Sequence, residues 1–285
     1  MDEKESIVEL PAHRPDLRSH PGEGGSLDEG GNNEEQESSS LEESSLIADL
    51  SPEEEELFNQ MMEVGVFYGR SKARTNPLMK EYVLATRAGF EIIDLKKTIV
   101  ALKQTAEFIQ GAVQANKGLI LLVGTTPAAK PVVKEVAREL DLPAVTERWL
   151  GGTLTNFKII GERINQFKKA KADRAAGKFD KYTKKERLEL DRDLTRSEIL
   201  FGWIEKLERL PVLVLIADLS ANTLAAKEAK RVGIPVAALL NTDADPRLAD
   251  YKIPANDKNP KSVKLLLEHL AEVIVKAREH QTPQA

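Results

Sequence analysis

Unbroken apolar runs at 119–123, 212–216 and 234–240 have the length of short strands and no alternation, as expected of parallel strands covered on both faces. Between them, apolar positions return every three or four residues, the spacing of one buried helix face. Leu95, Ile99, Leu102, Ala106, Ile109 and Val113 predict a helix capped by Asp94 and ended by Asn116-Lys117-Gly118. Val132, Val133, Val136 and Leu140 predict a second, entered through Gly124-Thr125-Thr126-Pro127 with Pro127 in its first position. A third runs through Arg231 and stops at Gly233, and a last one presents Val263, Leu266, Leu267, Leu270, Val273 and Ile274 to a core. Residues 143–146 add a shorter strand, and 251–257 a last short edge strand with its exit loop. Strands alternating with helices in this way argue for an α/β fold around a parallel sheet.

Two stretches break the rhythm. From 155 to about 210 no strand pattern is present. Phe157, Ile160, Ile164 and Phe167 make one apolar seam, and Leu190, Leu194, Ser197, Phe201 and Ile204 make another. With Ala175-Ala176-Gly177-Lys178-Phe179-Asp180 as the break, they predict an inserted antiparallel coiled-coil hairpin. Near the other end, Ser51 as N-cap, Pro52 at the first helical position and Glu53-Glu54 behind it open a short helix to about Glu63. Residues 64–80 read as an irregular basic loop, and 82–85 with 90–93 as a β-hairpin turning at Gly89. The expected organisation is a disordered extension over 1–51, an α/β domain made of 52–154 and 211–280, the hairpin at 155–210 and a frayed tail at 281–285.

Charge sharpens this division. Residues 1–56 carry three basic side chains against eighteen acidic ones, so an overall charge of −5 conceals a net of +10 over the remainder. The Gly- and Ser-rich extension has no aromatics and too few aliphatics to offset its ordering entropy. Its acidity suits either a solvated extension or a competitor that lowers non-specific polyanion binding. The basic remainder points to a polyanionic partner. Between Arg163 and Arg196 the hairpin holds twelve basic and six acidic residues. Its candidate phosphate contacts are Lys168, Lys169, Lys171, Lys181, Lys184 and Lys185, and those of the 64–80 loop are Arg70, Lys72, Arg74 and Lys80.

Several chemistries are excluded or disfavoured. The chain has no cysteine, hence no disulfide, thiolate nucleophile or Cys-ligated metal, and its histidines are His13, His20, His269 and His280, away from the loops of the sheet. No apolar run approaches a membrane span, and no charged-then-apolar signal pattern opens the chain, so it is expected to stay where it is made. A flavodoxin- or Rossmann-like sheet invites a dinucleotide or phosphosugar enzyme as the rival reading. The loop after residue 123 has only Gly124 where a pyrophosphate would want several glycines, and no Gly-Lys-Ser/Thr is present. Such an enzyme would have to use magnesium and the carboxylates of Asp218, Asp243 and Asp245, with Asp257 nearby. Asp243 and Asp245 also suit capping of turn amides beside Pro246.

The stretch Arg148-Trp149-Leu150-Gly151-Gly152-Thr153-Leu154-Thr155-Asn156-Phe157 reads as a strand-to-helix elbow. Its residue types suit simple architecture, with Trp149 in the core, Gly151-Gly152 as the turn and Thr153 or Thr155 as a helix cap. As a run of ten residues it resembles the signature of the ribosomal protein S-two family, bacterial type. Gly65, Gly69, Asn76-Pro77, Met79-Lys80 and Tyr82 look like that family's first motif. Ile92-Ile93-Asp94-Leu95, Val123-Gly124-Thr125 and Arg148 to Lys158 resemble three more, and Asp245-Pro246, Asp250-Tyr251, Ile253-Pro254 and Asn256-Asp257 a fifth. The resemblance implies a non-catalytic, cofactor-free constituent of the small ribosomal subunit, in the cytoplasm, bound to ribosomal RNA and to neighbouring small-subunit proteins and helping to seat the large S-one protein. Within these motifs Asn156 and Lys158 are candidate RNA contacts, Arg148 suits either an ion pair with an acid under the elbow or a contact to RNA, and Trp149, Gly151, Gly152, Thr153, Asp245, Pro246, Asn256 and Asp257 are structural motif residues. The chain departs from the family pattern at Phe67, Arg70, Thr75, Thr126, Pro127, Leu219 and Ser220.

Overall fold

A computed structural model of the chain describes residues 50–116 and 118–279. The disorder expected up to residue 49 and the frayed tail at 281–285 lie outside the described residues. Helix α1 (Pro52–Glu63) starts at Ser51, whose N–H donates to the Glu54 carboxylate at 2.7 Å. A small antiparallel sheet follows, made of β1 (Tyr68–Ser71), β2 (Val83–Arg87) and β3 (Phe90–Ile93) in the order β1-β3-β2. Strand β1 corrects the irregular loop expected at 64–80. Four residues containing a glycine carry no alternation to read, and the strand exists because Tyr68 pairs with Ile92 and Ser71 with Phe90 across β3.

The main sheet holds β4 (Ile120–Val123), β5 (Ala144–Val145), β6 (Leu213–Ile216), β7 (Val236–Leu240) and β8 (Tyr251–Pro254), every pair parallel, in the order β5-β4-β6-β7-β8. Ranked by their place in this sheet the strands run 2-1-3-4-5, the flavodoxin-like doubly wound order, whose switch point lies between β4 and β6. Helix α7 (Pro260–Glu279) packs against both α2 (Leu95–Asn116) and α3 (Ala129–Glu139), with α1 on α2 and α2 on β8. Leu95, Ile99, Leu102, Ile109 and Val113 of α2 are buried as their spacing requires, whereas Ala106 is only half-buried. Helix α3 begins two residues later than expected. Pro127 lies in a turn that the Lys130 N–H closes onto the Thr126 carbonyl at 2.8 Å.

Leu121, Val123, Val214, Ile216, Val236, Ala238 and Leu240 form one core with α6 (Thr223–Val232), Trp149 and the hairpin base. Alternation along each strand turns Ile120, Leu122, Leu213 and Leu215 to the opposite face. The hairpin consists of α4 (Phe157–Ala175) and α5 (Lys184–Phe201), antiparallel, as shown by cross-links from Lys171 to Glu198 and from Arg174 to Asp191. Ile160, Ile164, Phe167, Leu194 and Phe201 fill its seam, and Phe157, Leu190 and Ser197 are half-buried. The second arm is one turn shorter than its seam suggested, because a 3-10 turn (Gly202–Ile204) turns Ile204 into the main core.

Candidate nucleic-acid interface

Helix α6 carries the residue that organises the elbow, and it is an acid. One oxygen of Glu228 accepts from Trp149 Nε1 at 3.0 Å and Gly152 N at 2.8 Å. The other accepts from Leu154 N at 3.1 Å, Thr155 N at 3.3 Å and Thr155 Oγ1 at 3.2 Å. Burial pushes this carboxyl up, but the bonds from Gly152, Trp149, Leu154 and Thr155 together outweigh burial and hold it below the usual carboxylate range. Neither threonine therefore caps α4: Thr153 is buried and donates to the Leu150 carbonyl at 2.6 Å, while Thr155 belongs to Glu228. Only Gly152 of the glycine pair takes a positive φ, +91°. Glu228 was not among the expected site residues. The signal for it is an acid set between Ala225, Ala226 and Ala229 on the inward stripe of a helix.

With the carboxylate occupied from below, Arg148 has no acid to pair with. It is exposed and makes no ion pair among the described residues, and the same holds for Lys158, while the neutral Asn156 is also exposed. Lys72, Arg74 and Lys80 are likewise exposed and make no ion pair among the described residues. Arg70 is not. Its Nε reaches Asp243 at 3.2 Å and its Nη2 reaches Asp257 at 3.1 Å, so this guanidinium ties β1 to the loops after β7 and β8 and is not presented to phosphate. The Ser220 hydroxyl donates to the other Asp243 oxygen at 3.0 Å. Two positions where the chain departs from the family pattern thus meet on one carboxylate, and Asp243 holds these side chains instead of capping a turn amide. Asp257 is fully buried and also accepts from Asn241 Nδ2 at 3.0 Å. Burial pushes its carboxyl up against the pull of Arg70, and its second oxygen has no hydrogen-bond partner among the described residues. Asn256 joins the same junction through its Nδ2 to the Gly65 carbonyl at 3.2 Å, and Pro246 is buried.

The hairpin's basic excess divides in two. Lys168, Lys171, Arg174, Lys178, Arg187 and Arg196 are matched to Glu208, Glu198 and Glu205, Asp191, Asp173, Asp180 and Asp193 respectively. Among the described residues Arg163, Lys169, Lys181, Lys184, Lys185 and Arg192 make no ion pair. Three of the six, Lys181, Lys184 and Lys185, crowd the tip. Lys168 and Lys171 are therefore weaker candidates for phosphate than their place in the sequence suggested.

The crevice at the switch point is closed from within. Asp218, at the end of β6, accepts from Thr125 N at 3.2 Å and Thr126 N at 2.8 Å, the amides that would receive a ligand's phosphate. Asn222 Nδ2 donates to its other oxygen at 2.5 Å, and burial pushes the carboxyl up. Asp245 turns away to accept from Arg247 N at 3.0 Å and from its guanidinium. Asp218, Asp243 and Asp245 therefore serve three separate networks, and among the described residues no group of three His, Cys, Asp or Glu is placed to hold a metal ion.

The profile of the family described as Ribosomal protein S2 matches residues 61–277. The small ribosomal subunit protein uS2 of Chlorobaculum tepidum is 39% identical over 225 residues, covering 79% of this chain and 90% of that one. The proteins of the same description from Roseiflexus castenholzii and Thermus thermophilus are 38% and 37% identical, covering 78% and 77% of this chain and 84% and 85% of theirs. The elbow, the doubly wound sheet and the match along most of the length agree, and the chain belongs to the ribosomal protein S2 family.

Proposed function

We propose that this protein is a structural constituent of the small ribosomal subunit, without catalytic activity, holding ribosomal RNA through Arg148, Asn156 and Lys158 of the elbow, Lys72, Arg74 and Lys80 beside β1, and Lys169, Lys181, Lys184 and Lys185 of the hairpin. The observation that carries the reading is the contrast between two places. The crevice where a sheet of this order would take a small ligand is filled by Asp218, whereas cations that make no ion pair among the described residues stand on exposed loops and on the hairpin. The relatives' shared description as small-subunit proteins supports it. The partners are small-subunit RNA and adjacent proteins, the large S-one protein among them, and the place of action is the cytoplasm. Among the described residues no helix is long and apolar enough to cross a membrane. Sedimentation of a lysate tests the proposal: the protein travels with the small subunit at low salt and leaves it as salt rises. A chain found only in the soluble fraction, and stabilised against heat by magnesium with a nucleotide or sugar phosphate, refutes it.

A further inference from the structure

We infer that Tyr182, at the hairpin tip, is a stacking platform for an unpaired base, flanked by Lys181, Lys184 and Lys185 as seats for the adjoining phosphates, so that the arm selects single-stranded RNA over duplex. The inference rests on the RNA-binding reading above and adds the kind of RNA to it.

The tip is a hydrogen-bonded turn that leaves one aromatic, Tyr182, exposed. Gly177 turns left-handed with φ +71° and the chain passes through a 3-10 turn (Lys178–Lys181) into Tyr182, whose N–H donates to the Phe179 carbonyl at 3.2 Å. Thr183 then caps α5. Its N–H and Oγ1 reach Glu186 Oε2 at 3.0 and 2.8 Å, and its Oγ1 accepts from Glu186 N at 3.4 Å. Arg187 clamps Asp180 at 3.0 Å across the turn. Of the two tip aromatics, Phe179 lines the cleft between the helices beside Phe167, Leu190 and Leu194. Tyr182 stays outside at 44% exposure, with Lys181 Nζ 5.3 Å from its ring centroid.

The surrounding charge names the occupant. Residues 178–187 carry five basic side chains against two acidic ones, and both acids are engaged, Asp180 by Arg187 and Glu186 by the cap. An exposed ring beside Lys181, Lys184 and Lys185, which make no ion pair among the described residues, fits a polyanion bearing flat apolar faces. A duplex keeps those faces stacked within itself, whereas an unpaired nucleotide can lay its base on the ring.

The test uses the full-length chain and two labelled RNAs of equal phosphate number, one unstructured single strand and one blunt duplex, each titrated at several salt concentrations. Tyr182→Ala is expected to weaken single-strand binding roughly five- to hundredfold, leaving duplex affinity and both salt slopes unchanged. Tyr182→Phe keeps the wild-type preference. Changing Lys181, Lys184 and Lys185 together to Ala flattens the salt slope for both probes. Equal losses of Tyr182→Ala on the two probes, or Tyr182→Phe binding as poorly as Tyr182→Ala, overturn the stacking role. A Tyr182→Ala protein like wild type beside a weakened triple-lysine variant removes stacking and keeps the phosphate contacts. A triple-lysine variant like wild type, or a wild-type chain that binds neither probe, removes both.

Discussion

A single carboxylate shows how much one residue decides. Glu228 satisfies three backbone amides, a hydroxyl and the Trp149 indole, so Glu228→Gln would set an amide NH2 against donors and is expected to cost about 2–4 kcal/mol by denaturant melts at pH 7. The pH dependence has a definite sign. A carboxyl held below its usual value of 4.5 contributes stability that is complete above that value and is lost as pH falls through its folded value. The deficit of Glu228→Gln against wild type is therefore expected to be full at neutral pH and to close on acidification below about 4.5. Arg148 stands at the opposite pole. Exposed and unpaired, it is expected to change stability by less than about 0.5 kcal/mol when replaced by Ala, while RNA affinity falls; equal melting with unchanged affinity would remove it from the interface. The role of Glu228 was not legible locally, and the residues around Arg148 left both of its readings open. An arginine beside a buried tryptophan invites an acid partner, and the acid that lies beneath is already filled by other donors.

Among the elements, those that bury a periodic face on their own were readable, and those completed by a distant partner were not. The seam of α4 and α5 could be written from spacing because each helix repeats its own apolar interval, and Ile160, Ile164, Phe167 and Leu194 are buried accordingly. Strand β1 could not, since its identity rests on pairing with β3 some twenty residues later. Arg70 within it had the look of a phosphate contact until tertiary structure set it between Asp243 and Asp257. The α5 cap gives a prediction at this scale. Thr183→Ala is expected to cost about 1 kcal/mol, seen as faster amide exchange in the first turn of α5 with the main sheet unaffected. A change spread evenly over the sheet would show that the arm and the body melt as one unit.

At the scale of the whole molecule the segregation of charge governs binding. The portion after residue 56 carries +10, and RNA affinity is expected to fall by roughly 0.7 to 0.9 log units per log unit of salt for each phosphate neutralised. Removing residues 1–51 takes away most of the acidic excess and is expected to raise affinity for non-cognate RNA at low salt; unchanged titration curves would leave that stretch without an electrostatic role. By itself the sequence determined the alternation of strands and helices in the main sheet, the inserted hairpin, the separation of charge and the motif run at 148–157, because each is a property of neighbouring residues or of simple counting. Tertiary structure alone decided which cations make no ion pair among the described residues, that Asp218 fills the crevice at the switch point, and that Glu228 holds the elbow. Those outcomes depend on which acid meets which donor across about 70 to 190 residues of chain, and hydrophobic spacing carries no information about such pairings.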